Sequence, residues 1–327
     1  MDINLYKKNR MDELRKKYVN DINSLNLQFR MIITSIQKKK IRVQLKQPQY
    51  NEAKKIYTMH VSALQTQLQK NSAIVQSFVP TPPIIINKTA LLIGINYFGT
   101  TNELYGCIND VISVKERLTQ QGFSIKTLTD DTDKPTRATI LTEFTNLLKN
   151  ASSGDLLFFL YSGHGSYVVD KQGDEKDGYD ELLVSSDFKR VLDDELKTLI
   201  TQYLKKDVTL FGMFDSCFSG TILDLKYQFL DSENYDKYTE NSSNIDTVGN
   251  VYMISGCTEH QTSADAYINN KFQGAMTWSL LESLKLPQTS WRTLIKTMRK
   301  LLKDSKYTQI PQFASGNFVN IDSNVFI

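Results

Sequence analysis

Two short stretches hold the residues best suited to chemistry. Cys217 stands in GMFDSCFSG (212–220), after an apolar run and before a Ser-Gly turn, and is one of only three cysteines. His164 stands in YSGHG (161–165) and is one of only three histidines. A Cys and a His brought together form a nucleophile and its base. Imidazole takes or stabilises the thiol proton, the thiolate attacks a carbonyl carbon, and backbone N–H groups of tight turns hold the oxyanion. Taken singly, each residue has a plainer explanation: Cys after a strand packs as a small apolar side chain, and His in a Gly-flanked loop can be structural. SGTILDL, after Cys217, reads as a helical turn whose N-terminus would lower the thiol pKa.

The elements around these residues decide whether they meet. DLLFFLYSG (155–163) and DVTLFGMFD (207–215) are apolar runs of strand length that end at His164 and at Ser216-Cys217. In open α/β sheets, sites form at the carboxyl ends of parallel strands, so two parallel strands here would deliver His164 and Cys217 to one edge. TALLIGIN (89–96), FSIKTLTD (123–130) and NVYMISG (250–256) also read as strands. NDVISVKERLTQQG (109–122), closed by Gly122, reads as a helix, as do 136–150, 193–206 and segments near 274–286 and 290–304. Strands alternating with helices predict an α/β fold with a mostly parallel central sheet covered on both faces.

Residues 1–79 differ in character: polar, rich in Lys, Gln and Asn, and without Gly. Apolar residues recur there at helical spacing (Ile56, Met59, Ala63, Leu64, Leu68), which predicts a helical N-terminal extension. Pro80, Pro82 and Pro83 cannot continue a helix and mark a linker over 80–87. The net charge of +3 hides an asymmetry: residues 1–70 hold 15 Lys+Arg against 5 Asp+Glu, and the remainder 24 against 31. A basic arm can bind nucleic acid or an anionic surface. A solvated helix, or docking on the acidic body of the same chain, explains it equally simply, and nucleic acid is not expected as a partner. No apolar run approaches the roughly 18–20 residues of a membrane span, and the first residues lack the apolar core of a signal peptide. Cys107, Cys217 and Cys257 cannot all pair and are widely spaced, against a disulfide framework or a Cys-rich zinc site. A reducing, cytoplasmic setting is the natural expectation.

FFLYSGHGS (158–166) and FDSCFSG (214–220) resemble the two signature motifs of the metacaspases, caspase-like cysteine peptidases. ALLIGINYFGTTNELYGCINDV (90–111) resembles the family's first strand and following loop; VYMISGCTEHQTSADA (251–266) and GAMTWSLLESL (274–284) resemble its smaller C-terminal part. The likeness spans about 88–320 in the order of a type I metacaspase. It implies a caspase-like fold over 88–327: a large part to about 230, an acidic loop at 231–247 and a small part from about 248. It also implies His164 as base, Cys217 as nucleophile, and the Gly165 and Cys217 N–H groups as oxyanion hole. Phe218 departs from the family, which often has His there.

Specificity follows from charge. A pocket for Arg or Lys needs carboxylates, which hold guanidinium bidentately. By the resemblance, Asp110 and Asp215 match the acidic pocket that takes a basic residue before the cut (P1), and Cys107 and Ser162 match its walls. Asp110 could instead be a helix N-cap. The acid-rich stretch VVDKQGDEKDGYDELLVSSD, with LDDEL after it, suits Ca²⁺, which takes roughly six to eight oxygen ligands. By resemblance to calcium-activated metacaspases the matching ligands are Asp180, Asp193, Asp194 and Asp224, with Asp177 the rival of Asp180. His260 is a poor rival base.

These readings predict an Arg/Lys-directed cysteine endopeptidase, calcium-activated, monomeric, acting on protein or peptide substrates. Lys226, Lys237 and Lys38–Lys40 are candidate self-processing sites, and a covering pro-segment is one use for the basic arm. The alternative is a catalytically silent caspase-fold scaffold whose basic arm binds nucleic acid or acidic partners.

Overall fold

A computed structural model describes residues 3–39, 43–77, 86–169, 178–229, 238–241, 244–256, 265–268, 270–286 and 290–327. The chain divides into two compact units, Met1–Pro82 and Pro83–Ile327. In the first, α1 (Ile3–Lys38) and α2 (Val43–Ser77) form an antiparallel helical hairpin. Its joints are polar and aromatic: Tyr57 donates to Asn26 at 2.6 Å, Gln37 Nε2 to the Tyr50 hydroxyl at 2.9 Å, and Phe29 stacks on Tyr57 with centroids 4.7 Å apart.

The second unit runs β1 (Lys88–Gly94), α3 (Cys107–Gln120), β2 (Ser124–Thr129), α4 (Arg137–Lys149), β3 (Leu156–Ser162), β4 (Gly165–Val169), β5 (Tyr179–Val184), β6 (Arg190–Leu192), α5 (Asp193–Tyr203) and β7 (Thr209–Asp215). It continues through β8 (Tyr227–Phe229), β9 (Thr239–Glu240), β10 (Asn250–Ser255), β11 (Asp265–Ile268), β12 (Lys271–Gly274), α6 (Ala275–Ser283), α7 (Trp291–Asp304) and β13 (Gln312–Ser315). The central sheet has the order β2-β1-β3-β7-β10-β13-β8-β9. Its first five strands are parallel, and β13, β8 and β9 are added antiparallel.

Side-chain alternation builds a core on each face. Leu91, Ile93, Leu157, Phe159, Tyr161, Leu210 and Phe214 pack with α4 and α5. Ala90, Leu92, Phe158, Leu160, Phe211 and Met213 pack with α3, α6 and α7. A parallel strand covered on both sides must be apolar at both parities, hence the unbroken apolar runs. Local chemistry trims the helices. Thr136 caps α4 and Ser290 caps α7 with side-chain oxygens that accept the Thr139 and Thr293 N–H groups. Gly122, at φ +81°, ends α3 in the left-handed turn a side chain resists.

The structure departs from the sequence expectations in two places. The acid-rich stretch after His164 contributes a three-stranded antiparallel sheet, β4-β5-β6, beneath α5. The segment after Cys217 forms turns but no helix, so the helix N-terminus expected beside Cys217 is absent. Phe218 and Asp224 bracket that segment with φ near +50°, incompatible with a right-handed turn at either point. Asp177, Lys237, Cys257, His260, residues 261–264 and most of the Pro-rich linker lie outside the described residues.

Candidate active site

The sheet register sets out the site. Gly94 pairs with Ser162, and Ser162 with Asp215, so the ends of β1, β3 and β7 form one row. His164 and Cys217 each stand two residues beyond that row. The two loops are tied together where Gly163 N–H donates to the Asp215 carbonyl at 3.3 Å. They also crowd together at Gly165, where an added Cβ would lie 2.0 Å from the Cys217 carbonyl oxygen. Only glycine permits that approach.

His164 is held from several sides. Its ring packs on Tyr97, with centroids 4.6 Å apart, and Nε2 lies 2.7 Å from the Asn102 carbonyl. A carbonyl only accepts, so Nε2 carries the proton and Nδ1 is left to exchange one. The backbone of His164 is gripped by two buried phenols. Its N–H donates to the Tyr97 hydroxyl at 3.0 Å, and its carbonyl accepts from the Tyr161 hydroxyl at 2.8 Å. Both hydroxyls also reach the Val184 carbonyl, at 2.6 and 2.8 Å. Burial pushes both phenol pKa values well up, so they stay protonated donors.

On the α3/α6 face the row carries carboxylates. Asp110 is 1% exposed and Asp215 5%. Asp110 does not cap α3, whose N-cap is Gly106. Instead it accepts Ser162 Oγ at 2.7 Å and Gly274 N–H at 2.9 Å. Asp215 accepts both the N–H and the hydroxyl of Thr277 at 2.8 Å, at the start of α6. The two carboxylates adjoin: a Cβ on Gly274 would lie 2.0 Å from Asp215 Oδ2 and 2.7 Å from Asp110 Oδ2. Cys107 is buried at the start of α3, its carbonyl against Gly94. The structure thus gathers Cys107, Asp110, Ser162 and Asp215 at the ends of β1, β3 and β7, on the edge that also carries Cys217.

A second acidic group lies where β5 meets α5. Oxygens of Asp180, Asp193 and Asp194 fall within 4.8 Å of one another. Asp193 Oδ2 accepts the Glu181 N–H at 2.8 Å, and its Oδ1 the Asp194 N–H at 2.7 Å. Burial, then the charge of Asp224, pushes the Asp193 carboxyl up to about 7. Asp224 itself meets Lys197 Nζ at 3.3 Å. Three carboxylates this close together, two of them buried, are a donor set whose chemistry fits a hard divalent cation.

Several of these residues carried no signal in the sequence. Tyr97, Asn102, Gly274 and Thr277 reach the site only through tertiary approach. Gly274 had the best available hint, a glycine between a strand and a helix.

Residues 88–226 match the family described as "Metacaspase, peptidase C14 domain". The chain is 36% identical over 295 residues to Metacaspase-1 of Kluyveromyces lactis, covering 73% of this chain and 67% of that one. It is 36% identical over 286 residues to Metacaspase-1 of Meyerozyma guilliermondii, covering 70% of each. The fold is similar to the crystal structure of protein GSU0716 from Geobacter sulfurreducens, with TM-score 0.54, 27% identity, and coverage of 72% of this chain and 95% of that one. With a caspase-like sheet, a His and a Cys on its carboxyl edge, and this kinship over most of its length, the chain belongs to the metacaspase family of cysteine peptidases.

Proposed function

We propose that the protein is an endopeptidase that cuts after Arg or Lys, using Cys217 and His164 and regulated by calcium. The observation that carries the specificity is the convergence of Asp110 and Asp215 around Gly274, beside Cys217. Two buried carboxylates select for a cation and against the Asp side chain that caspases take.

In the reaction, His164 Nδ1 accepts the Cys217 thiol proton and Sγ adds to the carbonyl carbon of the basic residue. The Gly165 and Cys217 N–H groups hold the oxyanion. The C–N bond breaks as Nδ1–H returns its proton to the departing amine, leaving a thioester. Water then attacks that thioester and gives a proton to Nδ1. The carboxyl product leaves, and the Cys217 thiol regains the proton.

Asp180, Asp193, Asp194 and Asp224 would hold calcium, which supplies positive charge among these acids. Asp224 closes the loop that begins at Cys217, so neutralising this cluster favours a fixed presentation of the nucleophile. Once active, the enzyme meets Lys226 in its own chain, half-buried beside Asp246 and Glu240, as a candidate cut.

The deciding experiment compares fluorogenic peptides ending in Arg, Lys or Asp, with calcium or chelator, for wild type and Cys217→Ala. Hydrolysis of the Arg and Lys peptides by wild type alone, and only with calcium, is expected. Preference for the Asp peptide overturns the pocket, full activity in chelator overturns the calcium control, and identical rates for the two proteins favour a scaffold.

A further inference from the structure

Beside the nucleophile, on the face away from the carboxylates, stands an apolar ledge. Gly165, Tyr167 and Val169 share one face of β4, since side chains alternate along a strand. Gly165 on that face abuts the Cys217 carbonyl. Two residues on, the Tyr167 ring meets the Phe218 ring edge to face, centroids 5.0 Å apart. Tyr179 pairs with Val169 across the hairpin and packs on Tyr167, also at 5.0 Å. These side chains are not core: Tyr167 is 47% exposed, Tyr179 41% and Val169 65%. Phe218 is only half-buried, and it adopts φ +52°, a conformation that costs a bulky residue energy and concentrates at functional sites.

The ledge and the carboxylates fall on opposite faces of the central sheet. The P1 carboxylates pack with α3 and α6, while β5 and β6, the neighbours of β4, pack with α4 and α5. Cys217 stands between these two faces. His164, the donor to the leaving amine in that reaction, leads directly into β4, so the hairpin is the surface nearest to where that amine would depart. Exposed apolar surface that continues a catalytic centre marks a place for an apolar group.

We propose that Tyr167, Val169, Tyr179 and Phe218 form the subsite for the first or second substrate residue after the scissile bond, and that it prefers an aromatic or large aliphatic side chain. This deepens the peptidase reading and rests on it. In that subsite Phe218 becomes a specificity residue, and a polar residue at the same position would weaken the preference.

The test is digestion of a peptide mixture of random sequence by the full chain with calcium, with both new ends of each product sequenced by mass spectrometry. The residue before the cut reports the carboxylate pocket, and the residues after it report the ledge. Enrichment of Phe, Tyr, Leu or Ile over Asp and Glu by about tenfold at one of the two following positions is expected. In Phe218→Ala and Tyr167→Ser that ratio should fall at least threefold, whatever the total rate does, while the residue before the cut stays the same. A flat profile after the cut in wild type overturns the ledge, even with Arg and Lys strict before it. So does an enrichment that both variants retain. A basic preference missing before the cut counts against the carboxylate pocket alone, since the ratio after the cut is still read.

Discussion

The carbonyl oxygen of Cys217 lies 2.0 Å from where a Cβ on residue 165 would sit, so the loop carrying the base and the loop carrying the nucleophile meet at a position only glycine can fill. Backbone, not a flexible side-chain tip, blocks that space. Gly165→Ala must push the loops apart while leaving the sheet below them untouched. A loss of at least about a hundredfold in kcat/KM is expected, consistent with the sensitivity of catalysis to displacements of about 1 Å. The far-ultraviolet circular dichroism spectrum should not change. Wild-type activity in Gly165→Ala would refute the contact.

Gly274 plays the matching part at the carboxylates. Gly274→Ala would thrust a methyl group into Asp215 and Asp110 together. Asp215→Asn keeps the shape and removes one charge. Both changes should raise KM for Arg peptides more than they lower kcat, with about 2–4 kcal/mol lost in kcat/KM for Asp215→Asn. Steady-state kinetics with Arg peptides provide the measurement, and an unchanged KM would contradict the pocket.

The phenol grip on His164 predicts a different signature. Tyr97→Phe removes the hydroxyl that accepts the His164 N–H and donates to Val184. It leaves a part-buried donor unmatched, at about 1 kcal/mol. Because the ring remains, the base is re-aimed rather than exposed. We expect kcat to fall about tenfold at constant KM, with the acidic limb of the pH–rate profile displaced. A uniform loss of stability with no change in that profile would assign Tyr97 to packing alone.

Calcium should be visible without turnover. In Cys217→Ala protein, calcium at about a hundred times its Kd should stabilise the fold by about 2.7 kcal/mol, seen as a higher Tm that chelator reverses. Asp193→Asn with Asp194→Asn should abolish the shift. Lys197→Met frees Asp224 from its ammonium and should lower the calcium concentration needed. A shift that survives the double replacement would place the ion elsewhere.

Asp187 links the β5–β6 turn to the start of α4. Its carboxylate accepts the Ser185 hydroxyl and the Arg137 N–H and pairs with Lys189. These contacts, Ser185 foremost, hold it at about 2, below its ordinary 3.8. A depressed carboxyl stabilises the fold above its ordinary pKa, and that contribution disappears as pH falls through about 2. With the side chain partly in solvent, Asp187→Asn should cost about 1 kcal/mol at pH 7 and little near pH 2, by urea titration. Equal costs at both values would exclude the charge.

Much of the site was readable because it is built from residue types at strand ends. The unbroken apolar runs before His164 and Cys217 could only be strands buried on both faces, and parallel pairing brings their ends together. The short strands β4 to β6 were not readable: they flank an acid-rich stretch that looks like a loop, only β5 carries acids of its own, Asp180 and Glu181, and their pairing depends on α5 packing above. TILDL has helical spacing, but the left-handed residues at 218 and 224 forbid the helix, a constraint set by tertiary contacts. Asn102, Thr277 and the two tyrosines matter for where their polar atoms arrive, which spacing does not encode.

Among the described residues the central sheet ends at β9, a strand of two exposed residues, Thr239 and Glu240, laid against β8. A rim so short and charged presents few backbone groups for a neighbouring molecule to zip onto. Along these described residues, a second copy finds little edge onto which it could extend the sheet.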